Sequence, residues 1–137
     1  MKKRILILVD AQNDFCGENG SLSNKETVGT VKNIVELLKT KKFDRILVTM
    51  DTHNRETYSA TQEGQLIPID HCIEGTDGFK LHPDIENALN AWLENEIPDY
   101  TSLNKTTRYF KTLYKHAFVS PLDLNREIHF CNWRTKF

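Results

Sequence analysis

The sequence predicts an α/β fold of three layers, in which helices cover both faces of a mostly parallel sheet. Residues 5–9 form an unbroken aliphatic run, which is typical of a strand buried on both faces. Residues 45–50 repeat this pattern after a helical stretch, so the order strand, helix, strand favours a right-handed parallel crossover. Strands that alternate with helices therefore indicate one doubly covered, Rossmann-like sheet.

The elements follow in order from local signals. The first strand delivers Asp10 to its carboxyl end, and Ser23 lies three residues before Glu26, the spacing of a capping box that starts a helix. The apolar stripe of that helix consists of Val28, Val31, Ile34, Val35 and Leu38. The second strand ends on Asp51, and the polar segment 52–78 that follows is longer than ordinary connections, which indicates a functional loop.

The second half of the chain gives weaker signals. Pro83 suits the first turn of a second helix. The apolar face of this helix is formed by Ile85, Leu89, Trp92 and Leu93. Residues 107–110 predict a short strand that ends at Lys111, and residues 127–133 predict a last strand.

Length and composition limit the class of protein. The 137 residues predict one domain, 1–137, and the formal net charge of -1 gives no electrostatic footprint for nucleic acid. No apolar run approaches the ~20 residues of a membrane span. Three cysteines cannot pair completely, and residues 1–10 do not form a signal peptide, so we expect a reduced, cytoplasmic protein with a small, weakly charged partner.

Two groups of residues could carry chemistry. Asp10 lies where open α/β sheets bind ligands, although an acid after a strand also caps turns and helices. Asp51 and His53 point the same way in an extended segment and offer half of a metal site, which His71 could complete, with Glu63 as a further oxygen donor. The alternative is that these four are ordinary polar loop residues.

Three motifs, residues 5–15, 49–53 and 71–76, together resemble the nicotinamidase and isochorismatase-like cysteine hydrolases. The resemblance is clear to about Pro83, weaker to Asp123 and faint beyond. It implies an isochorismatase-like parallel sheet between helices, and hydrolysis of small amides or, in some branches, vinyl ethers. For this chain it implies conversion of nicotinamide to nicotinate and ammonia in NAD salvage. Another small amide, or isochorismate, is the alternative substrate.

The resemblance also implies roles for individual residues. Asp10 would be the catalytic acid and base, and Lys111 the catalytic lysine, with Lys105 as the second choice. The match to Lys111 depends on the sequence from there to Asp123, in which Phe118 is displaced by one residue.

Phe15 would wall the substrate pocket or belong to the core. The metal ligands would be Asp51, His53 and His71, with Glu63 less securely aligned. They would bind zinc, or else iron or manganese, and the ion would hold the pyridine nitrogen of the substrate. The partner is a small-molecule amide, and assembly into a homo-oligomer stays open.

The chain departs from the family pattern at its end. The family's nucleophile follows a strand in a motif like G-x-x-T-x-x-C, and if Thr135 is that threonine, the cysteine would fall beyond Phe137. Asn132 stands where the family has glycine, and Cys131 comes too early to serve. We therefore expect a C-terminally incomplete domain with impaired activity. A non-catalytic protein that still binds metal or ligand is the alternative, whereas Gln12 argues against an aspartyl-phosphate enzyme.

Overall fold

The structure is a computed structural model that describes residues 4–96 and the backbone of 110–115. Its strands are β1 (Ile5–Val9), β2 (Arg45–Asp51) and β3 (Phe110–Lys115), and they form a parallel sheet in the order β1-β2-β3. The helices are α1 (Asn13–Cys16), α2 (Lys25–Thr40), α3 (Gln62–Leu66) and α4 (Pro83–Glu96), with a 3-10 turn at Tyr58–Ala60. The predicted α/β class with a parallel sheet is confirmed.

The strand register brings the candidate functional residues to one edge of the sheet. Val9 pairs with Thr49, so Asp10 follows the end of β1 beside the last residues of β2. Asp51 is the last residue of β2 and pairs with Lys115 of β3. Neighbouring strands lie about 4.8 Å apart, so the carboxyl ends of all three strands meet at this edge, which we call the rim.

The apolar core lies between the sheet and two helices. Helices α2 and α4 contact each other, and their buried side chains form one cluster with Leu8 of β1. The predicted stripe of α2 supplies Val31 and Leu38 to this cluster, and α4 supplies its whole predicted face. The main buried members from α4 are Ile85, Leu89, Trp92 and Leu93.

Helix α2 begins one residue later than predicted. Asn24 is the N-cap of this helix. Its side chain accepts hydrogen bonds from the backbone N of Glu26 at 2.9 Å and of Thr27 at 3.0 Å, and the Thr27 hydroxyl accepts a hydrogen bond from Asn24 N. Ser23 instead belongs to the preceding turn, where its hydroxyl and its backbone N both donate to Gly20 O. The capping box therefore exists, but Asn24 and Thr27 form it.

Burial differs between strands β1 and β2. In β2 five of seven residues are buried, whereas β1 exposes alternate residues, with Ile5 at 51%, Ile7 at 41% and Val9 at 58%. The prediction that β1 is buried on both faces is wrong for the part of the chain that the structure describes. The reason is that α2 and α4 cover only the face that carries Leu8.

The remaining predictions differ in outcome. Segment 52–78 contains the 3-10 turn and α3, so it is partly helical. The strand predicted at 107–110 is found later, because β3 starts at Phe110 and continues past Lys111 to Lys115. The predicted strand at 127–133 lies outside the described residues. Over the described ranges, no helix is both long enough and apolar enough to cross a membrane.

Candidate functional site

Asp10 is held at the rim by the side chain and backbone of Thr49. The Thr49 hydroxyl donates to Asp10 Oδ1 at 2.7 Å, and Asp10 N lies 3.1 Å from Thr49 O and 3.2 Å from its Oγ1. Asp10 has a φ of 51°, a left-handed conformation that Asp tolerates better than most residues. Thr49 is fully buried, so it fixes the direction of the carboxylate from inside the sheet.

Gln12 joins the ends of β1 and β2. Its side-chain amide donates to Asp51 O and to Phe79 O, both at 2.8 Å, and its carbonyl accepts from Asp51 N at 2.7 Å. The residue is fully buried, and these bonds pair both polar groups of its side chain with backbone groups. Gln12 thereby fixes the backbone of Asp51 relative to Asp10.

The predicted metal ligands come together. Asp51, His53, Glu63 and His71 are all buried, and each offers one ligand atom within 4.8 Å of the other three. Asp51 Oδ2 lies 2.9 Å from His53 Nε2 and 3.5 Å from His71 Nε2, and Glu63 Oε1 lies 3.7 and 3.6 Å from the same two nitrogens. We call these four residues the quartet.

The backbone around residue 72 sets the distance between the two imidazoles. His53 N donates to Cys72 O at 3.0 Å and Glu74 N donates to His53 O at 2.9 Å, so residues 72–74 run parallel to the segment after β2. Cys72 has a φ of 48°, and its N donates to Asp14 Oδ2 at 2.8 Å. Asp14 therefore anchors the segment that carries His71.

The charges of the quartet suit a cation. Burial lowers the pKa of His71, but hydrogen bonds to Asp51 and to Ile69 O, together with the nearby Glu63, outweigh this and raise it. Glu63 Oε2 is buried and has no hydrogen-bond partner. Two carboxylates facing two imidazole nitrogens form a donor set that zinc, iron and manganese accept, so the residues fit a divalent metal ion.

Tyr58 packs against the quartet and was not predicted. Its exposed fraction is 2%, and its ring centroid lies 4.7 Å from that of His53 and 5.3 Å from that of His71. Burial, followed by the charges of Glu63 and Asp51, raises the pKa of Tyr58, so its hydroxyl keeps its proton at neutral pH.

The other predicted site residues have different surroundings. The half-buried Phe15 packs edge-on against His71, with ring centroids 5.6 Å apart, so it lies beside the quartet. Lys111 pairs with Leu47 within the sheet, while Lys115 is the lysine in register with Asp51. The catalytic role of Lys111 stays a prediction, and Lys105 lies outside the described residues.

The two cysteines in the described ranges are not poised for catalysis. Cys16 and Cys72 are both buried and form no disulfide within the described residues, and burial raises the pKa of the Cys16 thiol. A thiol with a raised pKa has little of the thiolate that attacks a carbonyl. Cys131 lies outside the described residues.

Sequence reasoning missed Thr49, Gln12 and Tyr58. Each acts through a partner that is distant in sequence or through its ring, so the local pattern gave no signal for it. Nothing in the sequence indicated that Gln12 and Thr49 hold neighbouring residues of the site in place.

Comparison with known proteins gives concordant results. The family model of the isochorismatase domain matches residues 4–96. The nicotinamidase/pyrazinamidase of Mycobacterium tuberculosis is 32% identical over 88 residues, which cover 62% of this chain and 47% of that protein. The nicotinamidase of Escherichia coli is 29% identical over 100 residues, with 61% and 46% covered. The chain thus spans about half the length of the curated relatives it matches.

Solved structures support the same fold. A pyrazinamidase/nicotinamidase from Streptococcus mutans superposes with a TM-score of 0.64 at 23% identity, covering 93% of this chain and 65% of that one. A nicotinamidase from Bacillus subtilis gives a TM-score of 0.62 at 21% identity, covering 96% and 66%. At these identities the likeness establishes the fold.

Proposed function

The chain belongs to the isochorismatase family, and from this premise we propose that it is a nicotinamidase-like amidohydrolase. Its reaction would convert nicotinamide and water to nicotinate and ammonia, a step of NAD salvage in the cytoplasm. The observation that carries the proposal is the quartet, whose four ligand atoms lie within 4.8 Å of one another beside the rim that holds Asp10.

Each residue has a distinct role in this proposal. The quartet holds a divalent cation, zinc in the first instance, which when bound would accept the ring nitrogen of the substrate and orient its carboxamide. Phe15, beside His71, provides an apolar wall for a flat aromatic ring. Asp10, directed by Thr49, transfers protons between the nucleophile and the departing ammonia.

The second candidate is a protein that binds metal and ligand without turnover. It is favoured by the two cysteines of the described ranges, both of which are buried. In the amidase proposal the attacking thiol has to come from outside these ranges. Measuring turnover therefore separates the two candidates.

The test combines binding with catalysis. We expect zinc to bind the 137-residue chain in a calorimetric titration, and nicotinamide to bind the zinc-loaded chain. His71→Gln should lower zinc affinity by well over the 10–100-fold that losing a hydrogen bond behind a ligand costs. His82→Gln is the matched control, since His82 lies outside the quartet and its Nδ1 only accepts from Asp84 N at 3.2 Å.

The outcomes are distinct. Ammonia release from nicotinamide supports the amidase, and binding without ammonia release supports the second candidate. Release of ammonia from other small amides in preference to nicotinamide would indicate that the substrate is another amide. Equal zinc affinity for the wild type and His71→Gln would refute the metal site on which the proposal depends.

A further inference from the structure

The ring of Tyr58 touches both imidazoles of the quartet. It is buried, and its centroid distances to His53 and His71 are 4.7 and 5.3 Å, the latter with the rings nearly perpendicular at 87°. Aromatic pairs in this range prefer such edge-on contacts. The two histidines thus share one aromatic neighbour, which restricts how far either ring can rotate.

The hydroxyl of Tyr58 and the carbonyl of Ile69 both face Nδ1 of His71. The hydroxyl lies 2.7 Å from Ile67 O, and since a carbonyl cannot donate, the phenolic proton must point to this oxygen. The same hydroxyl oxygen lies 3.3 Å from His71 Nδ1, which is also 2.8 Å from Ile69 O. Nδ1 therefore faces two acceptors and has to be the protonated nitrogen.

When a cation binds the quartet, the opposite nitrogen of His71 can offer it a lone pair. In neutral imidazole one nitrogen donates and the other accepts, so a proton on Nδ1 leaves Nε2 free to coordinate. Nε2 is the atom that lies 3.5 Å from Asp51 and 3.6 Å from Glu63. The hydroxyl of Tyr58 and Ile69 O thus together favour the form of His71 that a metal ion requires.

The backbone of Tyr58 is itself fixed to the segment that carries Glu63. Tyr58 O accepts from Thr61 N at 2.9 Å and from Thr61 Oγ1 at 2.6 Å, and the Thr61 hydroxyl caps α3 by accepting from Gly64 N at 2.9 Å. Gly64 packs so closely on Tyr58 O that a Cβ there would overlap it. Tyr58 therefore links the helix that bears Glu63 to both imidazoles.

We propose that Tyr58 is a positioning residue of the quartet, which fixes the orientation of both imidazoles and, together with Ile69 O, directs Nε2 of His71 toward the cation site. This inference rests on the metal site of the proposed function. It concerns a residue outside the four ligands, and its effect is on the geometry of those ligands.

The test removes only the hydroxyl. Tyr58→Phe keeps the ring, so we expect zinc affinity to fall by about 10–100-fold in calorimetric titrations. In the zinc-loaded protein, two-bond proton–nitrogen NMR of the imidazoles should show His71 with its proton on Nδ1 in the wild type. In Tyr58→Phe, Ile69 O still accepts from Nδ1, so this tautomer should persist while zinc affinity falls.

Ile85→Val is the matched control. Ile85 is fully buried in the core on α4, and its substitution should lower the melting temperature by about the same few degrees as Tyr58→Phe without changing zinc affinity. A fall in affinity in both variants would mean that general destabilisation explains the effect and would overturn the positioning role.

The failures of the two proposals are distinguishable. If the wild type does not bind zinc, the metal site is refuted and the inference about Tyr58 falls with it. If zinc binds but His71 coordinates it through Nδ1, only the inference about Tyr58 is overturned. Unchanged zinc affinity in Tyr58→Phe overturns it as well.

Discussion

The contact between Thr49 and Asp10 gives the prediction that can be worked out in most detail. Thr49→Val preserves the shape of the buried side chain but removes the hydroxyl that donates to Asp10 Oδ1 at 2.7 Å. A hydrogen bond to a charged group contributes about 1.5–3 kcal/mol to stability. Asp10 N keeps its bond to Thr49 O at 3.1 Å, so the backbone contact survives. We expect the free energy of unfolding to fall by about 2 kcal/mol.

A double-mutant cycle isolates this bond. Urea unfolding of the wild type, Thr49→Val, Asp10→Ala and the double variant gives the coupling free energy between the two side chains. Alanine at a φ of 51° is itself unfavourable, but this cost occurs on both sides of the cycle and cancels. We expect a coupling of at least about 1.5 kcal/mol.

Thr52→Val is the control for this cycle. Thr52 is also fully buried just after β2, but its hydroxyl donates to Met50 O at 3.1 Å, a neutral partner. Its loss should cost about 1 kcal/mol and show no coupling to Asp10→Ala. A Thr49 coupling below about 0.5 kcal/mol, the usual error of additivity, would refute the claim that Thr49 holds the carboxylate.

Three further predictions test other parts of the fold. Gln12→Met removes three hydrogen bonds to backbone groups, so we expect a loss of at least about 3 kcal/mol in urea unfolding, and near-wild-type stability would contradict the role of this side chain. Gly64→Ala should cost about 1–3 kcal/mol because its Cβ would overlap Tyr58 O, whereas the control Gly29→Ala, which meets nothing within 4 Å, should stabilise α2 by up to about 1 kcal/mol. Burial raises the pKa of the Cys16 thiol, so this thiol ionises at lower pH in the unfolded chain than in the folded one. Relative to Cys16→Ala, the wild type should therefore keep its full stability below the ordinary thiol pKa and lose stability as pH rises through the pKa of the folded state. A stability difference between the two proteins that is flat or grows with pH would count against this.

Local patterns predicted the elements whose formation depends on local chemistry. The aliphatic strands, the stripe of α2 and the face of α4 all follow from periodicity, and Pro83 starts α4 as expected. The position of the α2 cap did not follow, because Ser23 and Asn24 are both good caps and a turn to Gly20 decides between them. An apolar run likewise indicates that a strand can be buried, but it does not indicate whether helices cover both faces of that strand.

The candidate site also combines residues that local patterns predict with residues that they do not. The spacing of Asp51 and His53 and the later His71 predicted a set that the fold does bring together. The residues that hold this set were not predicted, because their contacts join distant parts of the chain: Gln12 reaches partners 39 and 67 residues away, and Asp14 reaches one 58 residues away. No local signal encodes such pairs.

These long-range contacts explain why the quartet exists in the folded chain alone. Asp51 and Glu63 are buried near each other, and two carboxylates in such surroundings are unfavourable unless protons or a cation balance them. Gln12 and Asp14 keep the segments in place all the same, because both bind backbone groups. Since an unfolded chain cannot assemble this set, a cation that binds the quartet stabilises the fold, by about 2.7 kcal/mol at a concentration one hundred times its Kd. The same contacts fix the quartet relative to Asp10, so the quartet and Asp10 lie at one edge of the sheet.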